Sequence, residues 1–267
     1  MYDTKIVADS IAENGCRLTT FEITMPRIIL AEWNTHRVFS RNTASSRAIP
    51  VKKMIDSVME NPFIPERFPK NEAGMSNSEW LEGEEAEKAK IEWLESRNLA
   101  VDQVQKLIKL NVHKQIANRI LEPFMWVTSV TSSTQWKNFF TLRNSKLAQP
   151  EIMKVASAMQ LLYDNSEPVL LRKGEWHLPY VKEEEKDLFG QDAPLLSAGR
   201  CGKVSYLTHG ETNTPEKDIS IARDKMVGNK HWSPVEHPAT PLDEPVFLGN
   251  YRGWKQQRKF YNGEAGE

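Results

Sequence analysis

The sequence predicts an α+β protein, on three observations. Residues 18–25 alternate apolar and polar side chains closely enough for a strand, and residues 127–134 are rich in the β-branched and hydroxyl side chains that favour extended backbone. From about residue 85 to residue 120, apolar side chains recur at helical spacing among charges. Behind Pro150, Ile152, Val155, Met159 and Leu162 form one apolar stripe, the buried face of a second helix.

In chain order, the strand at 18–25 is broken by Pro26, which suits the first turn of a helix reaching about Thr35. A polar loop follows. Residues 60–85 are rich in Pro, Asn, Gly and Glu and read as an excursion or lid. In the long helix, Trp93, Leu94, Val104, Leu107, Ile108 and Ile116 are the candidates for burial, and Leu121-Glu122-Pro123 stops it. Residues 164–195 read as a Pro- and charge-rich connection, 197–206 as a short strand approach, and 215–229 as a short amphipathic helix. The tail 250–259 interleaves aromatic and basic residues and reads as a partly packed surface helix with snorkelling charges. Its functional alternative is stacking on a pterin and pairing with a folate tail, or stacking on single-stranded nucleic acid. One domain spanning 1–267 accounts for these elements.

With 267 residues there is enough chain for a sizeable core. The net charge of −1 provides no global basic field to recruit nucleic acid. No run of about 18 apolar residues is present for a membrane span, and residues 1–5 lack an apolar signal core, so a cytoplasmic protein is expected. Two cysteines, Cys16 and Cys201, make neither a disulfide framework nor a metal-ligand cluster.

The chemistry is concentrated between Thr35 and Arg47, where hydroxyl, amide and guanidinium groups follow the apolar run Ile28-Ile29-Leu30-Ala31. Ser45 and Arg47 lie two apart, so in an extended loop both can face one phosphate, beside free backbone N–H groups. An ordinary solvated loop is the plainer reading of that pair alone. His36, Arg37, Ser40, Asn42, Ser45 and Arg47 together fall in register on R-H-R-x-x-S-x-N-x-x-S-x-R, with Thr35 at the first Arg. That pattern resembles the signature of the flavin-dependent thymidylate synthases.

Three further blocks strengthen the resemblance. Residues 139–152 are similar to that family's F-x-x-L-R-x-x-x-x-A-Q-x-E-I segment, and His231-Trp232-Ser233-Pro234-Val235-Glu236-His237 to its H-x-T-P-x-E-H element. Arg200-Cys201-Gly202-Lys203-Val204-Ser205-Tyr206 looks like its A-R-V-S segment, with Lys203 and Ser205 in register. A zinc site at 231–237 is disfavoured, because the spacing is not that of a zincin helix and Pro234 would interrupt one. Here the H-x-T-P-x-E-H element follows the R-H-R element instead of preceding it, which implies a circular permutation.

The resemblance implies an antiparallel or mixed sheet packed with long helices, assembled as a homotetramer. The implied reaction transfers a one-carbon unit from methylenetetrahydrofolate to C5 of a pyrimidine deoxynucleoside monophosphate, with FAD as cofactor and NADPH as reductant. Carried over position by position, Glu32, Thr43, Ala44, Ser45, Ser46 and Arg47 hold the nucleotide. Thr35, His36, Arg37, Thr141, Leu142, Arg143, Ser233, Glu236 and His237 hold FAD. No metal is implied. Three departures fall on the nucleotide side. Glu32 replaces a Gln, Thr43 replaces an acidic residue, and Met153 replaces the Arg that favours ionisation of uracil N3, so no catalytic residue is assigned. A thioether cannot stabilise a developing N3 anion. Cytosine N3 carries no proton, and Glu32 could accept from a 4-amino group. dUMP to dTMP therefore leads, with a dCMP methylase or hydroxymethylase as the alternative. An inactive family member and a non-enzymatic nucleic-acid-binding module are the remaining readings.

Overall fold

A computed structural model describes residues 1–74, 79–204 and 213–264. Its centre is a mixed five-stranded sheet in the order β3-β4-β2-β1-β5, formed by β1 (Asp3–Ala12), β2 (Arg17–Pro26), β3 (Ser40–Thr43), β4 (Trp126–Ser133) and β5 (Val169–Leu171). All neighbours are antiparallel except β1 and β5, which run parallel. With helices on the sheet, the α+β class is as the sequence predicts.

β2 is buried on both faces, and the two faces differ in chemistry. Phe21, Ile23 and Met25 point to one side, where helices cover them. Those helices are α5 (Lys137–Arg143), α6 (Pro150–Asn165) and the short α1 (Leu30–Trp33). The stripe on α6 lands there as expected, with Ile152, Val155 and Met159 fully buried and Leu162 partly so. Each such side chain contributes roughly 1.5–3 kcal/mol by leaving water. Trp33, Phe39, Trp136 and Phe139 close the same core with edge-on and tilted ring contacts.

The opposite face carries hydroxyls and histidines. Thr20 hydrogen-bonds Ser132 at 2.6 Å and His177 at 2.8 Å, Ser10 reaches the other nitrogen of His177 at 2.9 Å, and Ser132 reaches His237 at 2.7 Å. Burial holds both imidazoles neutral, with pKa values pushed down to about 3. Such a chain is tolerated in the interior because nearly every member finds a partner.

A second core forms where α3 (Gly83–Lys109) packs on α2 (Val51–Glu60), α4 (Lys114–Ala117) and the 3-10 segment Asn118–Phe124. α3 is shorter than the sequence suggests. It stops at Lys109, and Asn111 takes a left-handed φ of 60°. Val104 is buried and Trp93 and Leu107 are partly so, but Ile108, near the end of α3, and Ile116, beyond the turn at 110–113, are 42% and 58% exposed.

Other departures are local. The helix expected to reach Thr35 is a 3-10 turn at Arg27–Ile29 followed by the four residues of α1. The polar loop expected after it contains a strand, β3. The connection at 164–195 holds β5 and α7 (Glu183–Phe189). The strand expected at 197–206 is instead helix α8 (Ala193–Lys203); Ser205 and Tyr206 lie outside the described residues. The helix at 215–229 is present as α9 (Pro215–Ile221), continuing as a π-helical turn at Ala222–Val227.

The tail is not a surface helix. β6 (Ala239–Pro241) pairs with β9 (Trp254–Gln256), and β7 (Phe247–Leu248) with β8 (Tyr251–Arg252), which buries Tyr251 and Trp254 completely. Gly253 turns the chain between β8 and β9 at φ 74°, and a Cβ there would sit 2.7 Å from the Cys16 sulfur. Among the described residues no helix is long and apolar enough to cross a membrane.

Candidate active site

β3 is the edge strand around which the sequence motifs gather. At its N-terminal side, the last turn of α1 is closed by Thr35, whose hydroxyl donates to the Glu32 carbonyl at 2.6 Å. Arg41 donates to the carbonyls of Trp33 and His36 at 3.0 and 3.1 Å, which ties β3 to the turn that follows α1. His36 is buried, stacked on Phe39 and edge-on to Phe139.

The decisive contact there comes from a distant segment. Arg143, in the last turn of α5, donates from Nε to His36 Nε2 at 3.0 Å. Its other nitrogens reach the Thr35 hydroxyl at 3.4 Å and the Glu32 carboxylate at 3.7 Å. Burial first, then the charges of Arg143 and Arg41, lower the His36 pKa to about 4. An imidazole that accepts at Nε2 carries its proton on Nδ1, so His36 is a neutral donor of fixed direction. Thr141 and Leu142 lie exposed on α5 beside Arg143, and Arg37 is exposed one residue beyond His36.

The middle of β3 meets the C-terminal motif. Asn42 donates to the Cys201 carbonyl at 2.6 Å and accepts from the Ser233 hydroxyl at 3.3 Å. Ser233, Asn42 and Lys203 border a cavity of about 600 Å³. Lys217, Lys225 and His231 add further cationic or titratable groups to its lining, while Ile221, Met226 and Pro234 supply an apolar surface. Lys203 is paired with the buried Asp218 at 2.7 Å. Part of the wall is the π-helical turn, a rare geometry found disproportionately at functional sites.

Glu236 and His237 face elsewhere. Glu236 pairs with Arg258 at 2.8 Å, and burial raises its pKa. The His237 imidazole lies on the sheet against Ser132, with Nε2 unpartnered among the described residues. Gln256 and Asn250 both donate to the Ser40 hydroxyl at 2.9 Å, so the C-terminal strands clamp β3 from outside.

Beyond β3 the backbone leaves the sheet at Ala44. Ser45 is half-buried, Arg47 is exposed, and the Ser46 hydroxyl is fully inside, donating to Glu122 at 2.6 Å. Glu122 also pairs with Arg27 at 3.0 Å and Arg119 at 2.8 Å; against burial, which raises its pKa, the Ser46 hydrogen bond first and then these cations hold its carboxyl below the usual range. Met153 is half-buried on α6, one residue from the exposed Lys154, whose ammonium lies over the Tyr2 ring.

Sequence reasoning missed Arg27, Asn118, Glu122, Lys217 and Lys225, which lie outside every motif. Their only signal is proximity, which the fold supplies.

The family model described as thymidylate synthase complementing protein matches residues 17–169, more than half of the chain. The chain belongs to that family. As a thymidylate synthase complementing protein it carries the 35–47 and 139–152 motifs inside the matched span, while 200–206 and 231–237 lie beyond it. Among solved structures, thymidylate synthase X from Helicobacter pylori with FAD and dUMP is 20% identical, covering 55% of this chain and 67% of that one with a TM-score of 0.39. No curated protein matches. Membership in this family ties the chain to thymidylate synthesis.

Proposed function

We propose that the protein is a flavin-dependent thymidylate synthase. It would convert dUMP to dTMP with methylenetetrahydrofolate as one-carbon donor and NADPH as reductant, in the cytoplasm and as a homotetramer. The observation that carries this reading is the Arg143 to His36 hydrogen bond, which joins two signature motifs 107 residues apart through side chains alone.

The donor set fits FAD. Its diphosphate needs cations and hydrogen-bond donors, and Lys217 and Lys225 have no ion-pair partner among the described residues beside the Ser233 hydroxyl. The apolar surface of Ile221, Met226 and Pro234 suits the face of an adenine ring. Bound FAD would supply the hydride chemistry, with NADPH replenishing it. On this reading the cavity takes the adenosine diphosphate end, and Thr35, His36, Arg37 and Arg143, with Thr141 and Leu142 beside them, hold the other end. Glu236 and His237 support the site through Arg258 and Ser132. A permuted motif order is supported by the docking of 233–237 on β3 and β4 through Asn42 and Ser132.

Ser45 and Arg47, with the backbone at 43–47, hold the nucleotide phosphate. The Arg47 guanidinium is exposed and forms no ion pair among the described residues, so it is free for a phosphate. The dCMP reading is favoured by Met153, which offers uracil N3 no donor. Against it, the Glu32 carboxylate lies toward Arg143 and the His36 cluster. dUMP therefore leads. Incubation with folate, NADPH and either 5-tritiated nucleotide tests both: release from dUMP supports the synthase, and release only from dCMP supports the alternative. A colourless protein that binds DNA in a salt-sensitive manner would overturn both in favour of a nucleic-acid module.

A further inference from the structure

We infer that Asn118, a residue outside every motif, is a positioning residue that converts the 44–49 loop into a receptor for a phosphate monoester. The inference rests on the proposal that this loop holds the nucleotide phosphate.

Four carbonyls of the loop are turned inward by side chains from other elements. Arg27 donates to the Ala44 carbonyl at 3.3 Å, and Lys114 to that of Ala48 at 3.0 Å. Asn118 takes two, donating from Nδ2 to Ser46 at 2.7 Å and to Ile49 at 3.0 Å. The Ser45 carbonyl accepts from the Ala48 N–H at 3.0 Å, which closes the turn.

A trans peptide unit holds its C=O and the following N–H in opposite directions. A carbonyl fixed inward at Ala44 therefore turns the N–H of Ser45 outward, and one fixed inward at Ser46 does the same for Arg47. Among the described residues, neither N–H has a protein acceptor. Unsatisfied amides two positions apart, beside a serine hydroxyl and a guanidinium, supply a donor set for a phosphate. Ser46 does not join it, because its hydroxyl is committed to Glu122.

Asn118 is the central tether. It is completely buried and carries no charge, so it orients the loop without competing for the anion. Its amide spans the two carbonyls that flank Arg47 and Ala48, and no motif-based reading would select it. Glu122 plays the complementary part by pairing with Arg27 and Arg119, while Arg47, the cation within the loop, forms no ion pair among the described residues.

The test compares dUMP with deoxyuridine, which lacks the phosphate, on flavin-loaded wild-type, Asn118→Ala and Arg47→Ala proteins. In Asn118→Ala the dUMP Kd should rise about tenfold, equivalent to 1.4 kcal/mol, with deoxyuridine affinity and retained flavin unchanged. Equal losses for both ligands, or no loss for dUMP, would overturn the inference. Arg47→Ala separates the two levels. If it leaves dUMP binding intact, the loop does not hold the phosphate; if it weakens dUMP binding while Asn118→Ala does not, only the role of Asn118 fails. Should Asn118→Ala not fold, a crystal of the wild-type protein soaked with dUMP decides. Phosphate oxygens on the N–H groups of Ser45 and Arg47 support the inference, and phosphate bound elsewhere refutes it.

Discussion

Arg143→Ala strikes the contact on which the site depends, and its effect has a size that varies with pH. At pH 7.5 the variant loses the hydrogen bond to His36 Nε2, the longer one to Thr35, and a 3.7 Å ion pair with the half-exposed Glu32. Exposed ion pairs contribute about 0–1 kcal/mol, and a hydrogen bond from a charged group about 1.5–3 kcal/mol. A net destabilisation of roughly 2 kcal/mol follows. His36 adds the pH dependence. Its folded pKa of about 4 lies below the ordinary 6.5, so the unfolded chain binds the proton more tightly. Stability is full above pH 6.5 and falls as pH drops toward 4, by up to about 3 kcal/mol. Removing Arg143 removes one of the charges that depress this pKa, so the variant loses less on acidification. The stability gap between wild type and variant should therefore narrow between pH 7.5 and pH 5. Urea unfolding followed by tryptophan fluorescence at both pH values measures it. No gap at pH 7.5, or a gap that widens toward pH 5, would refute the reasoning.

Three further outcomes are expected. His177 and His237 are also held neutral by burial, with pKa values near 3, so His237→Gln should flatten the loss of stability between pH 6.5 and 4 relative to wild type, whatever its stability at neutral pH. The double variant Lys217→Ala, Lys225→Ala should weaken FAD binding about tenfold and reduce its salt dependence, with riboflavin, which has no phosphate, unaffected; titration by flavin fluorescence quenching reads both. Trp254→Ala removes a fully buried indole that donates to the Cys16 carbonyl at 3.0 Å and should cost about 3–5 kcal/mol in denaturant unfolding.

The elements legible in the sequence are those whose periodicity and burial agree. β2, β4 and α6 have one pattern each and form where that pattern places them, although β2 is buried on both faces. β1 was not legible, because DTKIVADSIA mixes exposed charge with small residues and gains its strand identity only by pairing with β2. α8 misled for a different reason. Residues 197–206 read as a strand approach, yet Gly199 sits in the helix, where a Cβ would lie 2.3 Å from the Asp218 carbonyl oxygen of α9. Close helix approach, invisible in one segment, decides that position. The tail misled because aromatic and basic residues suit a surface helix as well as a packed strand, and only the partner strand β6 distinguishes them. At the site, motif residues were legible because their chemistry is dense, and the structure brings His36 to Arg143 and Asn42 to Ser233. The residues that orient them are single polar side chains on other elements, and no local pattern marks a side chain whose role is to turn a neighbour's carbonyl.

The central claim is that segments far apart in the chain hold one flavin against one nucleotide. A crystal structure of the protein with FAD and dUMP tests it most directly. The account predicts the flavin ring beside His36 and Arg143, the adenine end in the cavity bordered by Ser233, and the dUMP phosphate on Ser45 and Arg47. Flavin bound without contact to either His36 or Ser233 in the assembled protein would contradict it.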